Sequence, residues 1–87
     1  MNTYIINGKK FLDKRQTFAY LQKILNLPDY LHNNLDSLND CLSEYCYQKN
    51  IIILHKQSII DNLGDYGLSL LKVFQDNSEK GILNLIA

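Results

Sequence analysis

The chain of 87 residues has few of the staples and breakers that small proteins lean on: two cysteines, one proline and four glycines. Cys41 and Cys46 stand five positions apart and fit neither a CxxC nor a CxxH spacing. A disulfide framework and a zinc site are therefore not indicated, and both thiols are expected to be reduced and buried. No proline- or glycine-rich linker and no repeat divides the chain, so at this length one domain over residues 1–87 is expected. Long apolar runs are missing as well; Ile51 to Leu54 is far too short to span a bilayer, and the opening MNTYIINGKK lacks the ordered basic and apolar regions of a signal peptide. A cytoplasmic protein with no membrane partner is the expectation. Nor is there an excess of either charge, since nine Lys and Arg balance nine Asp and Glu. That balance argues against direct binding of nucleic acid, which needs a basic surplus.

What is present is a folded composition, 46% hydrophobic, with an uneven distribution of charge. Residues 24–48 hold Asp29, Asp36, Asp40 and Glu44 without a single Lys or Arg, a local charge of −4 that the rest of the chain offsets. The periodicities give an order of elements. The β-branched and aromatic run TYIIN, closed by Asn7-Gly8, predicts a strand near 2–7. Asp13 with Gln16 three residues on resembles a capping box, and Phe18, Leu21 and Leu25 continue as a helix to about Asn26, with Pro28 as its stop. Asn34 is a fit N-cap for a second helix from Leu35 to about Cys46. The run after Asn50 predicts a central strand near 50–55, the segment QSIIDNL a short helix, and residues 66–80 a fourth helix stopped by Gly81. ILNLIA closes the chain as a third strand. The order is β-α-α-β-α-α-β, which implies an α/β fold of two layers: a three-stranded parallel sheet with four helices, joined by right-handed crossovers.

Within the second helix the two faces separate. Leu38, Cys41, Leu42 and Tyr45 share the i, i+3, i+4, i+7 spacing of a core face, while Asp36, Asn39, Asp40 and Ser43 share the same spacing on another, displayed face.

These residues, Leu27-Pro28-Asp29-Tyr30 followed by Asn34-Leu35-Asp36, Leu38 and Asp40-Cys41-Leu42, resemble the barstar family of ribonuclease inhibitors. The likeness runs from the INGK of the first strand through LLKVFQD and Gly81 to the last strand. It implies an immunity protein or antitoxin of bacterial type whose loop and second helix plug a basic ribonuclease one to one, acids taking the place of RNA phosphates. By this resemblance Asp40 matches the acid that enters the phosphate site, and Tyr30 the loop tyrosine that packs on the enzyme. Asn34, Leu35, Asp36, Ser43 and Glu44 fall at or beside neighbouring contact positions, and Asp76 matches a peripheral acid of the fourth helix. Asn39 stands where the best-known member has a tryptophan and His32 where it has a glycine; both join the expected partner-binding set. The free protein is expected to be a monomer. No cofactor, metal or catalytic group is indicated, because nothing orders Asp36, Asp40 and His32 into an acid, a base and an orienting group, and His55 has no such partners either. A protein-interaction module of the same fold, aimed at a target other than a ribonuclease, is the alternative left by the neutral charge and by Asn39.

Overall fold

The computed structural model describes residues 3–28 and 34–86. Strand β1 (Thr3–Asn7) passes through a 3-10 turn at Gly8–Lys10 into helix α1 (Lys14–Ile24), and α2 (Leu35–Tyr45) precedes strand β2 (Asn50–Leu54). Helices α3 (Lys56–Leu63) and α4 (Asp65–Glu79) then lead to β3 (Asn84–Leu85). The sheet is parallel in the order β1-β2-β3, with Thr3 opposite Asn50 and Ile51 opposite Leu85. This is the three-stranded, four-helix α/β arrangement that the sequence implies.

Parallel register decides which residues share a face of the sheet. Tyr4, Ile6, Ile51, Ile53 and Leu85 fall on one side, and the isoleucines among them are buried with Phe11, Phe18, Leu38, Leu70 and Phe74 in the core. On the other side Ile5 and Leu54 are exposed and Ile52 is half-buried. The apolar run of β2 is thus central, as expected, but its outer face is covered only in part. Gly8 is required where β1 ends, because a side chain there would fall against the backbone oxygens of His55 and Leu54, the latter at 2.6 Å.

Helix ends show what the sequence placed well and what it did not. Asp13 caps α1, its carboxylate accepting from the Gln16 N–H at 2.7 Å, but Gln16 returns its amide to the same carboxylate and not to the backbone of a capping box. The helix stops at Ile24, short of Asn26 and before Pro28 can act. Asn26 takes a left-handed φ of 55°, and the Leu27 N–H reaches back to the Gln22 carbonyl at 2.9 Å, the six-to-one bond of a Schellman end. Gly81, with φ 75°, closes α4 in the same way through the Ile82 N–H and the Asn77 carbonyl. That closure also shortens the third strand. The N–H groups of Ile82 and Leu83 are directed to Asn77, so the ladder with β2 begins only at Asn84 and covers two residues of the expected six.

Candidate functional site

The candidate site is built on α2. Asn34 caps it from an extended backbone, its side-chain oxygen accepting from the Ser37 N–H at 2.8 Å. That bond meets one of the orphan donors of the first turn, a service worth about 1 kcal/mol, and fixes where the helix starts. It also means that the oxygen of Asn34 serves the helix and not a partner. Asp36 lies in the first turn, where the positive end of the helix dipole favours an anion.

Burial then sorts the faces. Leu38, Cys41 and Leu42 are buried as the spacing requires, and Leu35 is half-buried against the same core. Tyr45 is a correction: its spacing puts it on the core face, yet it is 40% exposed. It is the last residue of α2, and the core packed under Leu38 and Leu42 does not extend to cover it. On the displayed face Asp36, Asp40 and Glu44 are exposed. Asp36 and Asp40 lie one helical turn apart and neither carboxylate has an ion pair or hydrogen bond among the described residues. The Ser43 hydroxyl donates to the main-chain oxygens of Asn39 and Asp40, both at 3.1 Å, so it serves the helix.

Asn39 departs from a freely displayed residue. It is half-buried, and its side-chain oxygen accepts at 2.8 Å from the amide of Asn77 on α4. Asn77 was not among the expected site residues, although a signal existed: it stands at i+7 from Leu70 on the stripe of Leu70, Val73 and Phe74, a polar residue on a core-facing line. Asp76 adjoins Asn77 and so lies beside the α2–α4 contact, but it also lines a groove of about 530 Å³ with Lys56, Lys72 and Glu79. Asp29, Tyr30 and His32 lie outside the described residues.

The two thiols lie beneath this face and are free and buried. Burial pushes Cys41 above the ordinary thiol range, with Glu44 and Asp40 adding to the rise. Cys46 is pushed up to about 11, chiefly by burial, with Lys49 pulling the other way. Thiols held in this state are poor nucleophiles. Among the described residues no group of His, Cys, Asp and Glu is arranged to hold a metal ion, and no helix is long and apolar enough to cross a membrane.

Fold and site together define a class: a small parallel α/β protein that sets on its surface a helix whose Asp36 and Asp40 carboxylates have no partner among the described residues. Its family follows from comparison with known sequences. The family model described as "Barstar (barnase inhibitor)" matches residues 1–82. A Bacillus subtilis (strain 168) protein named "Putative ribonuclease inhibitor YrdF" is 31% identical over 81 residues, covering 92% of this chain and 89% of that protein. The chain belongs to the barstar family.

Proposed function

We propose that the protein is a non-enzymatic inhibitor acting as one domain over residues 1–87 and binding a basic ribonuclease one to one in the cytoplasm, as an immunity protein or antitoxin. The observation that carries this reading is the pair of exposed acids, Asp36 and Asp40, one turn apart on α2 with no cation of their own. A site made for RNA phosphates presents Arg, Lys and His, and fixed carboxylates meet such groups with charge-assisted hydrogen bonds while excluding the substrate. Asp40 is the acid that enters the phosphate site. Asn34, Leu35, Asp36, Asn39, Ser43 and Glu44 frame it, Tyr30 and His32 approach from the loop, and Asp76 contributes at the rim. The weak repulsion between Asp36 and Asp40 in the free protein is relieved by a basic partner.

The test is a titration of barnase, and of ribonucleases purified from the culture medium of the source organism, with wild type, Asp40→Ala and Asp61→Ala. Asp61 is an exposed acid of α3 engaged by the Gln57 amide at 2.9 Å. Wild type should abolish RNA cleavage near an equal molar ratio and cleave no RNA itself. Asp40→Ala should weaken binding by about 2–5 kcal/mol, a general range to which the barnase–barstar pair of this family already contributes, and Asp61→Ala by less than about 0.5 kcal/mol. Equal affinities for the two variants remove Asp40 from the site. RNA cleavage that disappears with Asp40 makes the protein an enzyme. A second reading, an interaction module whose target is no ribonuclease, is favoured by the tying of Asn39 to α4, and inhibition of none of these enzymes would support it.

A further inference from the structure

The bond between Asn39 and Asn77 fixes which way the exposed part of Asn39 faces. Asn77 is 1% exposed, and its amide nitrogen lies 2.8 Å from the main-chain oxygen of Val73 and 2.8 Å from the side-chain oxygen of Asn39. A main-chain carbonyl only accepts, so the Asn77 atom beside it must be the nitrogen. Both hydrogens of that nitrogen are then committed, and the Asn39 atom that receives the second must be its oxygen. The orientation of both amides follows from this chain of donors and acceptors. It leaves the NH₂ of Asn39 on the side away from Asn77, where no described acceptor meets it; the Ser43 hydroxyl on this face is turned to main-chain oxygens instead. Asp36 and Asp40, three positions before and one after, can offer only acceptors when ionised.

We propose that Asn39 is a specificity-determining residue: locked by Asn77, it presents an oriented hydrogen-bond donor inside the acidic face and selects ribonucleases whose cationic site carries an acceptor oxygen, a carboxylate or a main-chain carbonyl, opposite it. The inference rests on the acidic-face reading above and adds a polarity that charge alone does not contain. A partner lined only with cations meets Asp36 and Asp40 well and Asn39 badly.

Asn39→Asp separates donor from charge. The substitution keeps the shape and still accepts from Asn77, but it replaces the NH₂ with a second acceptor and adds a negative charge. If the face works by charge alone, association with the ribonuclease inhibited in the titration above is as fast or faster and the affinity holds or rises. The proposal requires the opposite in the lifetime of the complex: dissociation faster by about tenfold or more, as for an acceptor left unmet in a buried contact. Asn39→Ala, which removes the donor without adding charge, should speed dissociation in the same direction. In the wild-type complex the side-chain NH₂ resonances of Asn39 should shift and exchange more slowly with solvent, while those of Asn77 stay where they are in the free protein. This NMR measurement needs no variant and so stands even if Asn39→Asp fails to fold. Undiminished affinity of Asn39→Asp, or an Asn39 NH₂ signal that complex formation leaves unchanged, overturns the proposal. If Asp40→Ala weakens binding in the same series, the acidic-face reading survives that loss; if it has no effect, both fall together.

Discussion

Tyr66 carries a buried hydroxyl without a hydrogen-bond partner, the sole buried side-chain polar atom in that position among the described residues. Its ring is well engaged. Phe18 meets it edge-on at 6.5 Å and the ammonium of Lys14 sits 4.2 Å from its centroid. Replacing Tyr66 with Phe keeps the ring, its edge contact and the cation, and removes only the oxygen. An unmet buried polar group costs about 1–3 kcal/mol, and part of that is offset by weak contacts of the oxygen with its neighbours, so a net gain of about 1 kcal/mol is expected. For a chain of this size that gain raises the midpoint of thermal unfolding by roughly 4–8 °C. Urea unfolding followed by circular dichroism would show it as a higher midpoint at unchanged slope, because the surface exposed on unfolding is nearly the same. Affinity for the ribonuclease should be untouched, since Tyr66 packs with α1 and not with the acids of α2. A Tyr66→Phe protein less stable than wild type by 0.5 kcal/mol or more would mean, by that order of magnitude, that the hydroxyl has a partner and that the reasoning from its isolation fails.

Two other outcomes follow from charge. Cys46, lifted from 9.0 to about 11 by burial, binds its proton more tightly folded than unfolded, so its contribution is complete below pH 9 and is lost as pH rises from 9 towards 11. Free energies of unfolding measured across that window should fall by an amount on the order of 2 kcal/mol from this residue, Cys41 and Tyr66 acting in the same direction, and Cys46→Ala should flatten the curve; a curve as steep in Cys46→Ala as in wild type would exclude the thiol as the cause. The association rate with the ribonuclease should drop as salt rises to physiological strength, where the screening length is about 8 Å, with dissociation changing far less and Asp36→Asn slowing association only at low salt. Stopped-flow rates indifferent to salt would show that the acids do not steer.

The order of elements was legible because it rests on signals that act within a few residues: Asp13 and Asn34 at helix starts, Gly81 at a helix end, and a continuous apolar run at the central strand. Where an end depends on a residue other than glycine accepting a left-handed backbone, local reading failed. Pro28 looked like the stop of α1, but Asn26 turns left-handed first. Where exposure depends on how far neighbouring elements reach, spacing gave only an angle: Tyr45 points the right way around α2 and still emerges into solvent. Asn77 escaped notice for a third reason. A periodicity of apolar residues passes over a polar one, and only its partner 38 positions away, Asn39, explains why it is buried.

The neutral charge of the chain and the anionic face of α2 are compatible because position, and not number, decides what an acid does. Asp13 is spent on the start of α1 and Asp61 is engaged by Gln57, so each acts within the fold. Asp36 and Asp40 have no such employment, and the run from 24 to 48 contains no cation to quench them. The nine cations elsewhere cancel the sum, but none stands within this run and, among the described residues, none makes an ion pair with Asp36 or Asp40. The proposed capture of a basic enzyme therefore requires no surplus of acids over the whole chain. On the proposed reading the site draws on an interval without Lys or Arg, a cap that fixes the helix within it, and a buried amide that fixes the polarity of Asn39, which shares the displayed face with the acids. Asn34 supplies the cap and Asn77 the amide. Of the two, only the cap could be read from residues close in sequence.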